Sequence, residues 1–322
     1  MTPDYRIRAN TKDITATIHD RLISLSVADE AGFKADTLTL VIDNRDGKVA
    51  IPLTGAELEV FMGYKETGLA RMGLYVADEI TIEGPPDTLT ISANAANMRA
   101  GLKERKERSW NAFALGDIVK TIAAEHGYTA KVDSFLGAIR RNHLDQTESD
   151  MHLLTRLGKE YSAVAKVAGG TILFVQQGAA KSASGKALSP VTLTRGDLAR
   201  WSVRSTDRKQ YKAIVAYWQD VENGEKRKVQ VGEGTPKKVI TGIYPTEEMA
   251  KDAALAMQNT TSRSGSTLSF SCIGRSDLMA ETPLTMHNVA EGVNGEWVIS
   301  RATHEISDRG YTISCTAKPP KQ

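Results

Sequence analysis

The sequence predicts a mainly β protein with α insertions, an α+β chain, and three observations carry that reading. Apolar side chains recur at every second position in many short runs. Those runs are punctuated by Gly, Pro, Asp and Asn, the residues that turns need. Near residue 100 the period changes to that of a helix, and after residue 190 the period of two returns.

The first hundred residues read as short strands. Ile23, Leu25 and Val27 alternate in LISLSV (22–27), and Leu38, Leu40 and Ile42 alternate in TLTLVID (37–43). DNRDG (43–47) supplies turn chemistry. ELEVFMGY (57–64) places Leu58, Val60 and Met62 on one face and is followed by the turn KETG (65–68). LYVADEITIEG (74–84) and TLTISA (88–93) flank a Gly-Pro-Pro-Asp turn at 84–87. Many short strands with frequent turns suggest a sandwich or barrel.

Beyond the charged stretch LKERKERSW (102–110), Leu115, Ile118, Val119 and Ile122 form one apolar helix face, with Gly127 as a C-terminal stop. Thr147-Glu148-Ser149-Asp150 resembles a capping box, so a second helix is expected from Thr147 with the stripe Met151, Leu154, Leu157 and Tyr161. VAKV (164–167) and TILFVQ (171–176), split by Gly169-Gly170, read as a hairpin. GAAKSASGKALSP (178–190) reads as a surface loop or linker.

The strand signal resumes in VTLT (191–194), RWSVRS (200–205), YKAIVAYWQD (211–220) and KRKVQVG (226–232). Pro245 and Thr246 open a helix with Glu247 and Glu248 in its first turn, favourable against the helix dipole, and with an inner face of Met249, Ala253, Ala256 and Met257. TLSFSCIG (267–274), EWVISRATHEIS (296–307) and YTISCTAK (311–318) close the chain as strands. Two β-rich halves around a helical insert suggest a diverged duplication.

Composition excludes several classes of function. The 322 residues carry 41 basic and 39 acidic side chains, a net charge of +2, which argues against a dedicated nucleic-acid binder. Cys272 and Cys315 lie in alternating runs and read as buried thiols, and no Cys-x-x-Cys pair points to zinc or redox chemistry. The N-terminus lacks an apolar signal core and no run approaches ~18 apolar residues, so the expectation is a protein made and folded in the cytoplasm, without membrane insertion. No nucleophile elbow, phosphate loop or zinc helix occurs.

The densest group of chemistry-bearing residues is His143, Asp145, Glu148, Asp150 and His152. Residues two apart on a helix point to different sides, and acidic groups suit a helix start, so capping outweighs a metal site. Asp117 and Glu125, two turns apart on the first helix, read as solvated carboxylates and not as a glycosidase pair. KERKER (103–108) alternates in sign and reads as a salt-bridged surface or a partner contact. Trp110, Trp201, Trp218 and Trp297 default to core packing. No catalytic, cofactor-binding or metal-binding residue is assigned, and no cofactor is expected.

LKERKERSW, ALGDIVKTIAAEHGY and HLDQTESDMHLLTRLGKEY, taken with YKAIVAYWQD, YPTEEMAKDAALAM and GEWVISRATHEISDRGYTISCTAK, resemble the late control gene D protein family. These are hub proteins of contractile phage tails, similar to the N-terminal part of type VI secretion spike proteins. The resemblance implies two related β-barrel tube-like domains (1–101 and 186–322) flanking a helical insert with a hairpin (102–185). It also implies a homotrimer whose six barrels surround a channel, with the six-fold tail tube protein above and the three-fold central spike protein below. The tape-measure protein and other baseplate proteins are further implied partners. The expected place is the virion tail baseplate, assembled in the host cytoplasm, whether of a complete phage or of a headless bacteriocin. Two alternatives stand beside it. One is a peptidoglycan-binding or cell-wall-hydrolysing tail protein, prompted by ALGDIVKTIAAEHGY. The other is a β-rich tube or sheath component.

Overall fold

The computed structural model describes residues 1–32, 35–96, 100–168, 170–176, 189–205, 211–221, 223–263 and 266–320. The linker expected over 178–190 lies outside them except for its last two residues. The chain is mainly β with helices, and it forms two compact units. Unit one comprises Met1–Arg99, Leu188–Ser202 and Leu268–Ala317, and unit two comprises Ala100–Ala187, Val203–Thr267 and Lys318–Gln322. Residues 186–322 therefore contribute to both units.

Unit one begins with β1 (Pro3–Ala9), β2 (Lys12–Asp13), the short helix α1 (Thr15–Ile18), β3 (Leu22–Glu30), β4 (Thr37–Asp43), β5 (Glu57–Tyr64), β6 (Gly68–Glu83) and β7 (Thr88–Ala95). It is completed by β13 (Val191–Thr194), β14 (Leu198–Ser205), β18 (Ser266–Ile273), β19 (Pro283–His287), β20 (Gly295–Ser307) and β21 (Gly310–Lys318). All thirteen strands join one sheet ordered β14-β18-β21-β20-β3-β4-β7-β6-β5-β1-β2, with β13 and β19 branching from β20. The early and late strands meet at the antiparallel pair β3–β20. No sheet closes on itself among the described residues.

Alternation decides which face is buried. Leu25, Leu38, Leu40, Val60 and Met62 are inaccessible to solvent, whereas Ile23, at the strand's start, is 43% exposed. Burying each such side chain is worth roughly 1.5–3 kcal/mol. A one-residue slip of β4 would expose Leu38, Leu40 and Ile42 together, far more than any single hydrogen bond could return. Register is therefore held by the apolar pattern.

Unit two is built from β8 (Arg108–Ala114), α2 (Leu115–Glu125), β9 (Thr129–Val132), α3 (Ser134–Ala138), β10 (Arg140–Gln146), α4 (Asp150–Glu160), β11 (Ala163–Ala168) and β12 (Thr171–Gln176). It adds β15 (Ala213–Asp220), β16 (Glu225–Gly232), β17 (Lys237–Tyr244) and α5 (Glu247–Arg263). β8 pairs with β10, β12 lies between β11 and β9, and β15 lies between β16 and β17. Leu115, Ile118, Val119 and Ile122 are fully buried on α2, as their spacing predicts, and Gly127 ends the turn at φ +67°. Among the described residues no helix is long and apolar enough to cross a membrane.

Three expectations are corrected. The second helix starts at Asp150 and not at Thr147, because extended residues 105–106 engage the carbonyls of 147–148: Lys106 N donates to Glu148 O at 3.2 Å and Arg105 Nε to Thr147 O at 2.8 Å. Ser149 is the N-cap, accepting from His152 N at 3.2 Å. The inner face of α5 is wider than expected: Ala253 is buried and Met257 packs inward as the spacing predicts, but Ala250 and Ala254 lie deepest, against Ile214 and Ala216 of β15, since small side chains let the helix approach the sheet closely. Of the four tryptophans, Trp110 and Trp201 are half-buried, Trp218 is half-buried but packs against the Ile214 and Ala216 core as expected, and Trp297 is buried. Arg108 and Arg195 stack on the first two, 4.2 and 5.4 Å from the ring centroids.

Candidate functional site

The most concentrated chemistry in unit two is a set of charges around Asp150. Its carboxylate has no solvent exposure. Oδ2 accepts from Lys106 Nζ at 2.6 Å and lies 2.8 Å from His126 Nε2, while Oδ1 accepts from Arg108 Nη2 and Gln146 Nε2, each at 2.7 Å. Glu125 closes the group, accepting from Lys106 Nζ at 2.8 Å and from Arg108 Nη1 at 2.6 Å. Arg108 Nε and Trp110 Nε1 both donate to Gln146 Oε1.

Local structure explains the convergence. The β8–β10 ladder sets Arg108 opposite Gln146 and Trp110 opposite Leu144. The C-terminal end of α2 delivers Glu125 and His126, and the first turn of α4 delivers Asp150. Burial alone would raise the Asp150 pKa, but hydrogen bonds from Lys106, Gln146 and His126 and the field of Arg108 outweigh it and hold the carboxyl below its ordinary value. Desolvation acts on Lys106 too, opposing its charge, yet its bonds to Asp150 and Glu125 raise it overall.

Glu125, His126 and Asp150 are the described group whose ligand atoms lie close enough together to hold a metal ion. The Lys106 ammonium already bridges both carboxylates, at the place a cation would take. The arrangement acts as a salt-bridged lock between strand and helices, with no vacant acid–base pair.

The sequence candidates do not converge. His143 contacts Asn111 and Asp145 in the open, Glu148 pairs with Arg156 at 2.7 Å, and His152 is exposed. Asp117 caps α2, accepting from Ala114 N at 3.2 Å. Lys106, Arg108 and His126 were missed as a group; the signal was the 106/108/110 spacing, which in an extended segment puts Lys106, Arg108 and Trp110 on one side, whereas nothing local marks His126 at the end of α2.

Unit one contains a buried polar knot. His304 is fully buried; its Nε2 lies 3.1 Å from Leu278 O, and its Nδ1 lies 2.8 Å from Tyr311 Oη. A carbonyl only accepts, so Nε2 carries the proton and Nδ1 accepts from the tyrosine. Tyr64 Oη donates to Gly274 O at 2.8 Å beside the Tyr311 ring. Tyr64, Gly274 and Tyr311 border a cleft of about 580 Å³.

Burial pushes the His304 imidazole down to about 4, from 6.5 in the unfolded chain. Between those values the unfolded state binds more protons, so the stabilisation is complete above pH 6.5 and is lost as the pH falls towards 4. The expected loss is about 3 kcal/mol, read from urea midpoints across that window. In His304→Gln the slope flattens, and an unchanged slope would refute the assignment.

Residues 36–310 match the phage tail baseplate hub (GPD) family. The probable baseplate hub protein of Escherichia phage 186 is 32% identical, over 97% of this chain and 92% of that protein. A 43 kDa tail protein of prophage MuSo2 from Shewanella oneidensis shares the fold with a TM-score of 0.75 at 16% identity, covering 99% of each chain. An E. coli component of the type VI secretion system gives a TM-score of 0.58 at 13% identity, covering 94% of this chain and 74% of its own.

Proposed function

This chain belongs to the phage tail baseplate hub (GPD) family, and on that premise we propose that three copies close a ring that adapts a three-fold spike to a six-fold tail tube around a central channel. The role is structural and its place is the virion tail baseplate. Full-length similarity to a baseplate hub protein is the observation that carries the reading.

In this proposal each chain supplies two related barrel-like domains, drawn from 1–101 and 186–322, so three chains present six. Seven strands from the first segment and six from the second enter the unit-one sheet and meet at one pair, β3–β20, which supports a doubled origin. The insert 102–185 carries the Asp150 lock and supplies a rigid outer surface for neighbours. The tail tube protein, the spike, the tape-measure protein and other baseplate proteins are the proposed partners, and assembly takes place in the host cytoplasm.

Light scattering of the purified protein, alone and with its spike, tests this. The expected mass is three times that of the chain. A dimer in the presence of excess spike, or open-ended polymers, would sink the adaptor.

A further inference from the structure

A cleft of about 570 Å³ opens in unit two where the start of α2 meets β9 and α3. Part of its wall is bare backbone. Gly116, in the first turn of α2, lies against Gly137 of α3 so closely that a Cβ on Gly116 would sit 3.1 Å from Gly137 O. Val132 and Val175 add methyl groups, and Asp117, Lys120, Lys131, Asp133 and Ser134 supply the polar lining. Backbone hydrogen bonds fix this shape before any ligand arrives. Leu115 N donates to Ile139 O at 2.9 Å, Gly137 N to Asp133 O at 2.8 Å and Asp133 N to Phe174 O at 2.9 Å.

The lining decides the class of ligand. Two lysines stand with two aspartates, so the cleft carries no net charge and suits neither a polyanion nor a metal ion. Half of the lining residues are polar, which excludes a purely apolar guest. Carboxylates, ammonium groups and a hydroxyl at short range are the acceptors and donors that sugar hydroxyls need. Asp117 and Lys120 share one helix face, and Asp117 engages the backbone through Oδ2, 3.2 Å from Ala114 N, which leaves Oδ1 to accept. An acetamido group joins a peptide-like amide to a methyl, matching bare glycine peptide beside two valines. Phe135, adjacent to Ser134 on α3, is 61% exposed and offers an uncovered ring that the C–H side of a sugar can cover. The volume falls in the range of small-molecule sites and has room for more than one sugar ring.

We propose that this cleft binds an N-acetylated oligosaccharide, the chemistry of a bacterial cell-wall glycan, and so gives the hub a hold on the envelope. The event is binding alone, with no bond broken. It goes beyond the ring proposed above and does not depend on it. The α2 segment that supplies Asp117 and Lys120 is the one whose sequence prompted a glycan-binding reading.

Calorimetric titration of the full chain with tri-N-acetylchitotriose tests this. Saturable one-site binding is expected, and cellotriose, which lacks the acetamido groups, should bind at least about tenfold more weakly. Lys120→Ala and Ser134→Ala, both at exposed positions, should each weaken chitotriose binding at least about threefold, and together about tenfold. Lys159→Ala, exposed on α4 outside the cleft, should change nothing. Absence of binding overturns the proposal, and unchanged binding by the double variant places the sugar elsewhere and overturns it equally. Equal binding of cellotriose overturns the acetamido assignment. Peptidoglycan sacculi should co-sediment the protein and not the double variant; failure of this arm alone overturns the cell wall as the source.

Discussion

Replacing Asp150 with alanine should cost about 3 kcal/mol of stability, because it strands buried cationic groups without their shared partner. In a chain of this size that corresponds to a fall of roughly 6–12 °C in Tm. The carboxylate is inaccessible and takes four hydrogen-bonding contacts, whereas Lys106 and Arg108 keep 28% and 24% of their side-chain surface in water. Those exposed portions moderate the loss but do not cancel it. Glu125→Ala is the informative contrast: at 34% exposure its ion pairs are screened, and its removal should cost no more than about 1 kcal/mol. Equal losses in calorimetry for the two variants would show that burial of the Asp150 charge is not what matters.

Gly274→Ala should destabilise unit one by about 3 kcal/mol through overpacking. A Cβ at this position would fall onto the Tyr311 ring. The peptide has no room to retreat, since Gly274 N donates to Tyr311 O at 2.9 Å and its carbonyl accepts from Tyr64 Oη. Combining Gly274→Ala with Tyr311→Leu removes the ring that the methyl would strike. The pair should then cost at least about 1 kcal/mol less than the sum of the single changes. Strict additivity in urea titrations would show that the ring is not the obstacle.

The legible parts of the fold were those where one side chain answers to one environment. Leu38, Leu40 and Ile42 alternate because β4 has a buried face, and Leu115, Ile118, Val119 and Ile122 recur because α2 has one. β8 and β10 were not legible, since Arg108, Trp110 and His143 sit on strands whose faces meet charge partners and solvent as well as core. The start of α4 was misread for a related reason. Thr147 and Glu148 have capping chemistry, but their carbonyls are engaged by a segment some forty residues earlier.

The charge group shows the same division. Asp150 stood out in the sequence as one acid among several near a helix start, and helix geometry alone placed it at an N-terminus. Its burial, and its sharing by Lys106, Arg108, Gln146 and His126, depend on three elements arriving together.

By itself the sequence determined the α+β class, most strand and helix cores, the turn positions, and the family through its ordered motifs. Tertiary structure alone decided that early and late strands share one sheet through β3 and β20, and that residues 186–322 divide between two units. The physical reason is range. Periodicity and turn chemistry are local consequences of backbone geometry, whereas strand partners and buried ion pairs are chosen by contacts between residues far apart along the chain.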